Sequence, residues 1–123
     1  MKKSVAEEIS EACAKAKARG LRLCRGGPWL TREGGKLTGV DPIVAVLLEQ
    51  GNITEEDPIG PGRLAAACSY LQVNEFWLYR FWIGWDQDFQ IRFTVLDKNK
   101  KETVVLDAVS QFGIALGRKY HDA

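Results

Sequence analysis

Ten consecutive residues, Phe76-Trp77-Leu78-Tyr79-Arg80-Phe81-Trp82-Ile83-Gly84-Trp85, hold three of the four tryptophans of this 123-residue chain. Each such ring has on the order of 150–250 Å² to cover, so a fold that leaves several of them in water is costly. The segment reads as a helix: Asn74 is a good N-cap, and Val73 before it and Leu78 within it are placed to form a hydrophobic staple. Successive helical residues turn by about 100°, so these bulky groups surround the whole circumference. Leu78, Phe81, Trp82 and Trp85 share one face, expected to pack on the alanine-rich segment before it. Phe76, Tyr79 and Ile83 fall on the opposite face and need other cover. Two readings stay open there. In one, a strand and the last helix supply that cover from within the chain; in the other, the face is a subunit interface or lines an apolar ligand pocket, where Trp, Tyr and Arg80 are natural anchors.

The rest of the chain sorts by period and by its breakers. Ser4 and Glu7 form a capping box ahead of Val5, Ile9, Ala12, Cys13 and Ala16 at helical spacing, and Gly20 is placed to end that helix. Leu21 and Leu23 alternate with Arg22 as a short strand does. Gly26, Gly27, Pro28, Gly34, Gly35 and Gly39 interrupt regular structure. Residues 29–31 and 36–38 read either as a small hairpin across Gly34-Gly35 or as an irregular loop. Asp41-Pro42 is a strong helix start, and Ile43 to Leu48 is apolar on every side, which marks a central helix ended by Gly51. Residues 52–62 form a connector. Arg63 to Tyr70 is a helix surfaced by Ala65, Ala66, Ala67 and Cys68. A turn through Gln72 joins it to the aromatic helix as a compact αα-hairpin.

Beyond Asp86 the period falls to two, with Phe89, Ile91, Phe93 and Val95 on one side of a strand. Asp97 to Lys101 is a charged turn. Residues 102–106 either return as a second strand or lead into a helix starting at Thr103. The last helix, capped in the first case by Asp107, carries Val109, Phe112, Leu116 and Tyr120 as a stripe. Gly113 and Gly117 lie about one turn apart on it, and each costs roughly 1 kcal/mol of helix stability relative to alanine. Close packing explains their presence, with rings of the aromatic helix lying on the smooth surface they leave.

Composition narrows the function classes. Seventeen basic against sixteen acidic side chains give a net charge of +1, without the basic excess that nucleic-acid binding demands. The αα-hairpin matches the apolar pattern of a helix-turn-helix, but its second helix would present Asn74, Glu75, Phe76, Tyr79 and Arg80, with a single base to reach phosphates. No apolar run reaches the roughly 20 residues of a membrane span, and the start of the chain lacks the apolar core of a signal peptide. Three cysteines, Cys13, Cys24 and Cys68, form no CxxC pair, which fits reduced thiols in the cytoplasm.

Catalytic and metal chemistry have few candidates. The one histidine, His121, lies three residues from the end, a poor base for a nucleophile–His arrangement. The His and Cys show no metal-ligand spacing, and Asp86-Gln87-Asp88 lacks the downstream glycine and glutamate of a calcium loop. The glycine-rich stretch around Trp29 fails as a phosphate loop, since Leu30 replaces its first glycine and Leu37 its hydroxyl residue. A small anionic site lined by Arg25, Arg32 and Lys36 ranks below a turn built on a packed Trp29.

Trp82-Ile83-Gly84-Trp85-Asp86 and the run from Phe112 to Tyr120 resemble small bacterial proteins of the kind carried on integron gene cassettes. The likeness covers the last half of the chain and implies no catalytic residue. The sequence reading is therefore one globular α+β domain spanning residues 1–123, with four or five helices packed around a small antiparallel β-hairpin or sheet. Function points to a protein-interaction module, homodimeric through the aromatic helix at 74–86, with Phe76, Trp77, Tyr79, Arg80, Ile83 and Trp85 as its binding residues. The alternative is a small-molecule binder whose pocket, between that helix and the Trp29 loop, takes a small apolar or aromatic ligand. No cofactor, metal, nucleic acid or membrane is expected.

Overall fold

The computed structural model describes residues 3–25, 29–51, 63–86, 94–96, 102–104 and 108–120. The fold is α+β, with five helices, a three-stranded mixed sheet and a two-stranded ladder among the described residues. The chain forms two compact units, residues 1–75 and 76–123. Outside the described residues lie the expectations for Gly26 to Pro28, the connector at 52–62, the Asp88 end of the carboxylate pair, strand residues 89–93, the turn at 97–101, the Asp107 cap and His121.

In the first unit, α1 (Val5–Ala18) starts where the Ser4 oxygen accepts the Glu7 N–H at 3.1 Å. A second contact joins the two side chains, the Ser4 hydroxyl donating to the Glu7 carboxylate, also at 3.1 Å. Ile9, Ala12, Cys13 and Ala16 are buried, as their spacing predicts, and Val5 is half-buried. The helix ends in a Schellman motif. Gly20 takes φ +85°, its N–H reaches the Lys17 carbonyl and the Leu21 N–H reaches Ala16, both at 3.0 Å. Buried Leu21 then leads into β1 (Arg22–Leu23).

The glycine pair resolves in favour of a hairpin. Gly34 and Gly35 both adopt positive φ, as the two-residue turn between β2 (Leu30–Glu33) and β3 (Lys36–Val40) requires. The sheet is not purely antiparallel, however. β3 lies in the middle, antiparallel to β2 and parallel to β1, with Arg22 opposite Gly39 and Leu23 opposite Val40. Both ladders run one bond further, through Cys24 N–H to the Val40 carbonyl and Asp41 N–H to the Trp29 carbonyl, each at 2.8 Å. Gly39 therefore sits inside the central strand rather than breaking it. A Cβ there would meet the Thr31 hydroxyl at 2.6 Å and the Cys24 sulfur at 3.0 Å, so glycine lets both side chains cross the strand.

α2 (Pro42–Glu49) follows at once. Buried Asp41 caps it, one carboxylate oxygen accepting the Ile43 and Val44 N–H groups at 2.7 and 3.1 Å. Every residue from Pro42 to Leu48 is buried, so this is the central helix of the unit, packed against α1, β3 and α3 (Arg63–Leu71). Glu49 holds it to the end of α1 through Arg19 at 3.5 Å and Lys15 at 3.9 Å. α3 ends with a second Schellman-type bond, Val73 N–H to the Cys68 carbonyl at 3.1 Å. Here the left-handed position is Gln72, at φ +57°.

The second unit holds α4 (Glu75–Trp85), the β4–β5 hairpin (Thr94–Leu96 and Glu102–Val104) and α5 (Ala108–Tyr120). Residues 102–104 pair antiparallel with 94–96, which settles the choice left open in the sequence for a strand. The buried face of α5 is Ser110, Gly113, Leu116 and Gly117, whereas Val109, Phe112 and Tyr120 are only half-buried. The helix is thus turned by roughly 65°, less than the 100° of one residue, from the stripe its apolar side chains suggest, with Leu116 common to both.

Candidate functional site

The turn of α5 follows from how it meets α4. A Cβ on Gly84 would overlap the Ser110 carbonyl oxygen and stand 2.9 Å from the Ile114 nitrogen. A Cβ on Gly113 would overlap the Phe81 carbonyl oxygen and stand 2.9 Å from the Trp85 nitrogen. Each glycine therefore lies on the carbonyl three residues before the other, and the two backbones touch directly. Such an approach is open only to residues without side chains. Gly113 was expected to bed an aromatic ring; it beds the α4 backbone instead, and Gly84 is its counterpart.

This crossing fixes the orientation of the aromatic helix. Leu78, Phe81, Gly84 and Trp85 are buried. Phe81 is the hub: it stacks on Trp85 at 6.4 Å and on Trp77 at 6.0 Å, and tilts against Phe112 at 5.6 Å between ring centroids. Such pairs are worth about 0.5–1.5 kcal/mol each beyond the area they bury.

The opposite side of α4 is open. Phe76 is 68% exposed and Tyr79 41% exposed, with Arg80 and Ile83 half-buried beside them. Their spacing of three, four and seven residues puts all four on one stripe. The Arg80 side chain folds back along the helix, its Nε donating to the Phe76 carbonyl at 3.3 Å. Tyr79 leans on Trp82 at 6.2 Å. Covering what remains open of Phe76 is worth about 2 kcal/mol.

Of the seven residues singled out in the sequence, four, Phe76, Tyr79, Arg80 and Ile83, form this outward stripe. Trp77 is half-buried and held by Phe81. Trp85 is fully buried, so it supports the helix from beneath and cannot anchor a partner. Trp29 belongs to the first unit, half-buried at the start of β2.

Two further polar groupings occur in the first unit. Cys24, Thr31 and Thr38 form a chain across the sheet, with Thr31 and Thr38 hydroxyls 3.0 Å apart and the Cys24 sulfur 3.9 Å from Thr31. Burial pushes the Cys24 thiol above its ordinary pKa, although the Thr31 hydrogen bond opposes this. It is therefore less ionised at neutral pH than a free thiol and a poor nucleophile. Arg32 donates to the Gly35 carbonyl of its own turn at 3.3 Å, which ties one of the three cations of the considered anionic site to the hairpin. Between the start of α1 and the end of α3 lies an open groove of about 370 Å³, lined by Lys3, Val5, Glu8, Tyr70 and Gln72 among others. Tyr70 donates to Glu8 at 3.3 Å, and Lys3 pairs with Glu11. Among the described residues no cluster of three metal-ligating side chains occurs, and no helix is long and apolar enough to cross a membrane.

Neither the groove nor the threonine chain was legible in the sequence, because each joins residues seven to more than sixty positions apart. No protein-family model, curated protein or solved structure matches this chain, and the resemblance to integron-cassette proteins finds no counterpart among them.

Proposed function

We propose that this protein is an interaction module that self-associates through the outward stripe of α4. The observation that carries the reading is the exposure of Phe76 and Tyr79 beside Arg80 on a helix whose opposite side is locked by the Gly84–Gly113 crossing. Aromatic residues and arginine are the side chains most enriched at binding hot spots, and a rigid helix presents them at low entropic cost. Phe76→Glu tests the proposal. The side chain is mostly in solvent, so the variant keeps its melting temperature while its solution mass falls to that of one chain. A variant with unchanged mass refutes the assignment of this face.

A second reading, a binder of small molecules that carry an aromatic ring, rests on the open groove beside Tyr70, a place other than the pocket expected between α4 and the Trp29 loop and lined mainly by polar side chains. Titration with a panel of aromatic compounds, followed by Tyr70 chemical shifts, tests it; absence of any shift at millimolar ligand rejects it. The compartment proposed with it is the cytoplasm, supported by the three free cysteines Cys13, Cys24 and Cys68.

A further inference from the structure

We infer that two copies of α4 pair in parallel, each Glu75 facing the partner's Arg80; this rests on the self-association proposed above. The outward stripe follows a heptad pattern. Phe76 and Ile83 fall at a positions, Tyr79 at d, Glu75 at g and Arg80 at e. In a parallel pair, a g residue meets the partner's e residue five positions later. Glu75 and Arg80 are five apart and opposite in charge, so a two-fold pair forms that contact twice, flanking Phe76 and Tyr79.

The Arg80 side chain already points the right way. Its Nε bonds the Phe76 carbonyl, so the guanidinium lies back toward the end of the helix that carries Glu75. In a parallel pair the partner's Glu75 lies at that end, whereas in an antiparallel pair Phe76 would face the partner's Ile83 and Glu75 would find no opposite charge. The face is small. Two rings and their flanks bury on the order of 800 Å² in total, the size of a transient contact. The pair therefore assembles weakly, at high micromolar concentration.

Two measurements separate this inference from the reading beneath it. In sedimentation velocity on the full chain, Glu75→Lys weakens the dimer about tenfold and the charge swap Glu75→Arg with Arg80→Glu restores it. Orientation is read by oxidation of single-cysteine additions. Phe76→Cys and Ile83→Cys each cross-link to themselves in the parallel pair, above the background given by the native chain. If the wild type dimerises but only the mixture of the two variants cross-links, the pair is antiparallel and the inference falls while self-association stands. If the wild type stays monomeric at every concentration, both fall.

Discussion

Gly84→Ala and Gly113→Ala put the helix crossing to its hardest test, because two physical effects predict opposite signs. On helix propensity alone, either substitution stabilises by about 1 kcal/mol. In this structure the added methyl overlaps a backbone carbonyl of the facing helix and stands 2.9 Å from a backbone nitrogen. No side-chain rotamer can relieve a clash with main chain, so the helices must separate by roughly 1 Å, which forfeits a quarter to a half of the dispersion energy across their contact. Overpacking of this kind costs about 1–3 kcal/mol, occasionally more. Taking the upper figure, about 3 kcal/mol, for a clash with main chain and setting the propensity gain of about 1 kcal/mol against it, a net loss of about 2 kcal/mol is expected for each variant. For a chain of 123 residues that corresponds to a fall of about 8 °C in Tm. The two losses should not add, since the first methyl already opens the gap that the second needs. Thermal unfolding followed by tryptophan fluorescence measures this, with Ala115→Gly on the exposed side of α5 as a propensity control costing about 1 kcal/mol. A rise in Tm for Gly113→Ala would refute the close crossing.

Four other outcomes follow from local geometry. Gln72→Gly replaces the one described non-glycine residue at positive φ and should stabilise by about 0.5–1 kcal/mol in urea unfolding, relief of left-handed strain outweighing the added freedom of the unfolded chain. Asp41→Ala removes a buried cap serving two N–H groups and should cost about 2 kcal/mol in the same assay. Gly39→Val, which drives a side chain into Thr31 and Cys24, should cost about 1–3 kcal/mol and expose Cys24 to alkylation. Because burial raises the Cys24 pKa above its ordinary 9.0, the folded state holds that proton longer than the unfolded one. Its contribution to stability is then full below pH 9 and lost as pH climbs through the raised value; a pH series of urea midpoints with Cys24→Ser as the reference should show the wild type losing more.

Elements with their own start and stop signals were readable in advance. Asp41-Pro42 and Ser4 with Gly20 mark helix ends through bonds made within a few residues, so the chain announces them locally. Gly34-Gly35 permits a hairpin by its backbone freedom, but the sequence left an irregular loop equally open there. The parallel pairing of β1 was not readable, since a two-residue strand has no preference of its own and takes whichever edge β3 leaves open. Periodicity separated buried Leu78, Phe81 and Trp85 from exposed Phe76 and Tyr79, but it put half-buried Trp82 with the first set and half-buried Ile83 with the second, and it cannot say which face meets water. Trp85, expected among the binding residues, lies on the buried face. The same limit applies to α5: side-chain hydrophobicity pointed to Phe112, whereas the helix is turned by the backbone contact of Gly113, whose partner glycine lies 29 positions earlier.

The most direct test of the central claim is sedimentation equilibrium of the wild-type chain and Phe76→Glu over a wide concentration range. Self-association through α4 requires that wild-type mass rise from one chain toward two as concentration increases, while Phe76→Glu, with unchanged circular dichroism, stays at one. A wild type that remains a single chain at the highest concentration, or a Phe76→Glu variant that associates equally well, contradicts it.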